Sequence, residues 1–195
     1  MRFTLKPNRT LMAELETERF ILHPVRLFDL VGDPDGWRRT PRIYRDLYLE
    51  KGPMSFSTWL KRGPIPDQVR RFTWAIVPRG TGRPVGYHMV RLSGPHSARN
   101  SVGIHDEAWL GKDVAVEARA KIMNHFFRHG IRRFSGRVAS TNTASIFTYR
   151  KLGYAHVGTL QAEKIDPATG EPVDFVLFEA MKDDWKRSTY AEPGL

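Results

Sequence analysis

The 195-residue chain has no cysteine, which excludes disulfide bonds, a thiolate nucleophile and a cysteine-rich zinc site. Any chemistry must come from other side chains or from the backbone. Long apolar runs are absent as well. Nothing approaches the roughly twenty residues of a membrane span, and the opening MRFTLKPNRTLMAELETERF never runs apolar long enough for a secretory signal. A cytoplasmic location with no membrane partner is therefore expected. The histidines show no metal-ligand spacing, so no metal is expected. There is no internal repeat and no low-complexity tract. Negative charge is scarce: 21 Asp and Glu face 31 Lys and Arg, for a net charge of +10. That balance favours anionic partners, whether a nucleotide-like cofactor, RNA or an acidic protein surface. Charge alone does not choose among them. Arginines cluster at Arg38, Arg39, Arg42 and Arg45, at Arg70 and Arg71, and at Arg132 and Arg133. Taken singly these pairs read as solvated faces, whereas the Trp37 to Tyr48 cluster, with Tyr44 and Tyr48 interleaved, is balanced between solvated face and binding surface.

A chain of this length buries one good core. The expected organisation is a basic arm over residues 1–15, one folded domain over 16–185 and a tail over 186–195 with Pro193 and Gly194 near its end. Arg19 to Val25 reads as a strand, Leu27 to Leu49 as two helical pieces broken by GDPDG, and Met54 to Arg62 as a helix closed by Gly63-Pro64. Phe72 to Val77 and Val85 to Leu92 read as a hairpin around Arg79-Gly80-Thr81-Gly82-Arg83, with Val102 to His105 a short strand beside them. Val114, Ala118, Ile122 and Phe126 recur four apart and define one face of a helix that Gly130 ends. Phe134 to Val138 returns as a strand, and the right-handed crossover makes it parallel to the one before the helix. Thr143 to Leu152 reads as a helix capped by Asn142 and Gly153. Ala155 to Leu160 and Val173 to Met181 close the domain as a hairpin around Asp166-Pro167-Ala168-Thr169-Gly170.

Most of the chemistry lies between Asp106 and Tyr154. A Gly-Lys turn leads directly into the long helix, whose first N–H groups are unpaired and whose dipole is positive at that end, an arrangement that holds diphosphates. Further on come Asn142, Ser145 and Tyr149, spaced three and four apart on one helical face, and then Lys151-Leu152-Gly153-Tyr154. With Leu15-Glu16-Thr17-Glu18-Arg19 and Val85-Gly86-Tyr87, these segments resemble the GNAT superfamily of N-acyltransferases over about Glu16 to Trp185. The likeness is closest to the RimJ/RimL-like branch, which acetylates ribosomal-protein N-termini. The resemblance implies an α/β (α+β) fold: a mixed, twisted sheet of six to seven strands, splayed at the centre and flanked by about four helices. It implies acetyl-CoA or another acyl-CoA as cofactor, direct transfer to an amine in a ternary complex, and no metal. It places the cofactor on Gly111, Lys112, Asp113, Val114 and Ala115 of the turn and on Asn142, Ser145 and Tyr149. Asn142 would orient the cofactor chain, and Tyr149 or Ser145 would protonate the departing thiolate.

The turn departs from the family pattern at two places. Leu110 stands where Arg or Gln is usual, and Asp113 where a glycine is usual. A carboxylate roughly 6 Å from a phosphate charge, at an effective dielectric near twenty, costs about 2 to 3 kcal/mol. Lys112 and Arg119 would offset part of this; alternatively Asp113 turns away as a helix N-cap. The strand before the turn is also one residue shorter than usual between Gly103 and Gly111, where the family carries a bulge that bonds the pantetheine. For a general base the candidates are Glu163 and His105, then Glu107, His88 and Asp174. Three readings follow: an N-acyltransferase acting on an amine of a protein N-terminus or small molecule; a GNAT-fold protein that has lost catalysis and serves in binding or assembly, as a homodimer or larger complex; and an acetyltransferase docked on RNA or the ribosome. The acceptor would be read by Phe28 to Gln68 and Gln161 to Val173.

Overall fold

The computed structural model describes residues 10–25, 67, 69–166 and 169–195. The helical pieces expected in Leu27 to Leu49, the helix Met54 to Arg62, the Trp37 to Tyr48 cluster and nearly all of the first acceptor region lie outside the described residues. Within them the strands are β1 (Leu15–Glu16), β2 (Phe20–Pro24), β3 (Arg71–Pro78), β4 (Gly86–Gly94), β5 (Ser97–Ile104), β6 (Arg133–Ala139), β7 (Ala155–Ile165) and β8 (Pro172–Met181). The helices are α1 (Val114–Arg128), α2 (Thr143–Lys151) and the short α3 (Lys182–Trp185), with a 3-10 turn at Glu107–Trp109. All eight strands form one mixed sheet in the order β1-β2-β3-β4-β5-β6-β8-β7. The strand count exceeds the expected six to seven because Leu15–Glu16 forms a short strand of its own against β2.

α1 lies on the sheet through the face that the spacing of apolar residues predicts. Val114, Ala118, Ile122 and Phe126 are all buried, and Phe126 meets Phe72, Trp74 and Phe134 edge-on at 5.6, 5.8 and 6.1 Å between ring centres. Each large apolar side chain buried here contributes about 1.5–3 kcal/mol. The helix ends at Arg128 with His129 as its cap, and Gly130 beyond it takes a φ of 94°, the left-handed conformation a side chain would resist. The C-terminal residues run back along α1. Asn124 gives its amide to the Tyr190 carbonyl at 2.9 Å and accepts from Trp185 Nε1 at 2.6 Å. Glu192 pairs with Lys121 and Arg128 at 2.8 and 2.6 Å.

The two central strands decide where a ligand can enter. β5 and β6 are parallel but pair only over Ser97 to Arg99 and Arg133 to Ser135. Beyond that they diverge, so Asn100 to Ile104 on one side and Arg137 to Ala139 on the other open onto a cleft. β5 holds regular register with β4 from Leu92↔Ala98 to Gly86↔Ile104, so no bulge interrupts it beside the cleft. The splay comes from divergence alone.

β5 is longer than the short strand read at Val102 to His105, because its first half, SARNS, is polar and shows no apolar alternation. β7 likewise runs past Leu160. Gln161, Ala162 and Glu163 form a bulge opposite Asp174 between the pairs Leu160↔Phe175 and Lys164↔Val173. Ala162 takes φ 47° there, and its N–H donates to Asp174 Oδ1 at 2.8 Å.

Candidate active site

The cleft has a volume of about 540 Å³ and is walled by β5, β6, the start of α1 and α2. Gly111, Asp113, Val114 and Ala115 line one end, and Asn142, Ser145 and Tyr149 line the α2 side. The two sequence motifs, far apart along the chain, therefore face one space. Lys112 does not line it. Its ammonium sits 5.6 Å over the Trp109 ring, while its carbonyl accepts from Arg19 Nη2 at 2.9 Å.

Arg19 also donates Nε and its backbone N–H to Glu117 at 2.7 and 3.1 Å, which braces the turn against the first turn of α1. Burial raises the pKa of Glu117, but hydrogen bonds from Thr17 and Arg19 outweigh it and hold the carboxyl below its ordinary 4.5.

Asp113 lines the cleft and does not cap the helix with its side chain. It occupies the N-cap position of α1 at φ 58° but makes no side-chain capping bond. Its carboxylate reaches across to Lys151 Nζ at 2.8 Å, and that bond raises the pKa of Lys151. The charge at the turn is thus countered by the lysine of the Lys-Leu-Gly-Tyr segment, and the first N–H groups of α1 stay free of an internal cap. Arg119 does not lie at the turn either: it is buried on the inner face of α1.

α2 is positioned by its cap, Asn142 Oδ1 accepting from Ser145 N at 3.0 Å. Tyr149 is buried and fixed on every side. It stacks on Phe178 at 4.9 Å with 10° between planes, meets Tyr154 edge-on at 5.0 Å, and carries the Arg119 guanidinium at 4.4 Å over its ring. Gly136 of β6 makes this possible, since a Cβ there would overlap Cε1, Cζ and the hydroxyl of Tyr149. Sequence reading passed over Gly136, although a glycine in mid-strand marks a close approach of another group. It also passed over Arg137 and Phe175, which complete the β6 side of the cleft.

None of the proposed bases lines the cleft. Glu163 pairs with Arg137. His105 Nε2 is 2.9 Å from the Pro84 carbonyl, and its ring stacks on Tyr87. Asp174 supports the β7 bulge, and Glu107 is exposed in the 3-10 turn. His88 is wholly buried, and burial, then the charge of Arg119, pushes its pKa well below 6.5. Among the described residues no group of His, Asp and Glu could hold a metal ion, and no helix is long and apolar enough to cross a membrane.

A cleft between parting parallel strands, with a bare helix start at its mouth, suits an enzyme that draws a group from a long phosphate-bearing carrier. The family model for the acetyltransferase (GNAT) domain matches residues 19–155, and the chain belongs to that family. No curated protein matches it. Among solved structures it is similar to a probable GNAT-family acetyltransferase from Chromobacterium violaceum, at 21% identity over 90% of this chain and 89% of that one, with a TM-score of 0.66. It is similar to the ribosomal-protein-S5-alanine acetyltransferase of Vibrio fischeri, at 15% identity over 89% and 99% of the chains and a TM-score of 0.68. RimJ of Mycobacterium smegmatis in complex with CoA-disulfide matches at 18% identity over 93% of each chain, with a TM-score of 0.66.

Proposed function

We propose that the protein is an N-acyltransferase that moves an acyl group from acyl-CoA directly to an amine, with residues 16–185 as the working unit. The observation that carries this is the junction at the cleft, where an uncapped helix start and a fixed tyrosine face the same cavity. The thioester would supply an activated acyl carbon. The residues present fit such a carrier: the N–H groups at the start of α1 suit its diphosphate, with Gly111 and Val114 to Val116 around them, and the open edges of β5 and β6 suit its amide-bearing arm. The Asp113–Lys151 pair removes most of the repulsion that a lone carboxylate would exert there.

Tyr149 is assigned the proton given to the departing sulfur, with Ser145 as its alternate, and Asn142 the orientation of the carrier arm. Rigid packing of the Tyr149 ring keeps that hydroxyl in place at no cost during reaction. For the proton lost by the amine we put forward Glu163 and His105. Since neither lines the cleft, water would carry it. The acceptor is taken to be a protein N-terminus or a small-molecule amine, and the cytoplasm the place of action; the S5-alanine acetyltransferase similarity supports the first acceptor class. An RNA-docked form would show a steep loss of binding with added salt.

Titration calorimetry with acetyl-CoA tests the proposal. Binding by the wild type and its loss in Gly111→Glu are expected. No binding by the wild type or by Asp113→Gly would overturn it.

A further inference from the structure

Arg119 is only 2% exposed, yet it lines the cleft beside Asn100 and Tyr149. Among the described residues its Nε and Nη1 have no hydrogen-bond partner and no carboxylate pairs with it. The one carboxylate among the described residues lining the cleft, Asp113, is paired with Lys151. Asn100 gives its amide to the Tyr154 hydroxyl at 3.0 Å and leaves Oδ1 without a partner among the described residues. His88, also buried and with neither ring nitrogen partnered among the described residues, is neutral, its pKa pushed well below 6.5 by burial. A guanidinium can lend its face to a tyrosine ring, as this one does, but its N–H edges still require acceptors, and burying them bare is strongly unfavourable. An anionic group entering the cleft would satisfy these donors and their charge together.

An acyl-CoA carries its phosphates at the other end. They belong at the start of α1, and Arg119 lies five residues into that helix, about 7.5 Å along its axis. The arm between is neutral, so the acyl group is the remaining part of the carrier that can bring a negative charge. Resting on the acyl-CoA reading above, we propose that the acyl group this enzyme accepts ends in a carboxylate, as in a short dicarboxylic acyl chain such as succinyl, and that Arg119 receives that carboxylate. In the transfer, the amine nitrogen bonds to the acyl carbon, the carbon–sulfur bond breaks, the amine loses one proton and the sulfur gains one. The amide product keeps the terminal carboxylate, so an acceptor loses a positive charge and gains a negative one. The departing sulfur is also anionic, but help toward it alone would not discriminate between acyl groups.

Calorimetry on the full chain with succinyl-CoA, butyryl-CoA, acetyl-CoA and free CoA tests the inference, because butyryl matches succinyl in length and lacks its charge. Wild type is expected to bind succinyl-CoA about tenfold or more tightly than butyryl-CoA, the worth of a charged hydrogen bond. In Arg119→Met the difference should vanish while free CoA binds as before. Equal wild-type affinities for succinyl-CoA and butyryl-CoA, or a preference that survives Arg119→Met, would overturn it. The wild-type ranking alone decides the matter if Arg119→Met does not fold. Failure of all four ligands to bind would instead sink the acyl-CoA reading, and this inference with it.

Discussion

At position 113 a carboxylate sits in a left-handed turn that glycine adopts freely, and it is held there by a lysine from α2. The backbone strain is worth about 1 kcal/mol, and the ion pair is exposed enough to return little of it. Asp113→Gly should therefore leave stability unchanged or higher and tighten CoA binding severalfold, since it also frees the Lys151 ammonium. Lys151→Ala should do the reverse, weakening CoA about tenfold at low ionic strength and less as salt is added. Calorimetry at two salt concentrations reads both. Tyr149→Phe keeps the ring and its packing, so turnover should fall about a hundredfold while CoA affinity holds. Gly136→Ala perturbs the same ring from below: the added Cβ must push Tyr149 off its place. A loss of about 1–3 kcal/mol in urea unfolding, with reduced turnover, is expected.

Among the elements, α1 and α2 were legible because their signals are local. Asn142, Ser145 and Tyr149 share a face by spacing alone; Asn142 is the N-cap of α2 as read, while the C-cap is Leu152 and Gly153 follows it at φ 76°. What was not legible depends on partners distant in sequence. The Asp113–Lys151 pair joins residues 38 apart, and Arg19 reaches Glu117 over 98. Polar strand segments were missed for a related reason: the first half of β5 and the bulged end of β7 gain their form from neighbours, not from alternation. The C-terminal strap is another such case. Asn124 serves Trp185, Tyr190 and Glu192 at once from inside a helix. Asn124→Leu strands buried donors and acceptors on three partners, and a loss of about 2–4 kcal/mol in unfolding free energy is expected.

For the molecule as a whole, acid stability follows from a histidine that joins α1 to the N-terminal segment. Burial first, then His129, lowers the pKa of His125 from 6.5 to about 4, against hydrogen bonds to the backbone of Leu11 and Thr10 and with Arg128 adding to the fall. A depressed folded-state pKa means that the unfolded chain takes the proton first. Stability is therefore full above pH 6.5 and is lost progressively as pH falls toward 4. Melting temperatures recorded from pH 7 to 5 should decline, and His125→Gln should flatten that decline. The strand order has its own consequence for how the enzyme comes into being. β8 lies between β6 and β7, and it supplies Phe178 beneath Tyr149 and Phe175 beside Arg137. During synthesis every residue of the two motifs emerges before the strand that seats them. A nascent chain halted after Ile165 carries every described cleft-lining residue but Phe175 and still lacks the ring that Tyr149 rests on. Ribosomal products cut short in the last hairpin should thus be inert, not weakly active, and activity should appear all at once when the final strand slots into the sheet.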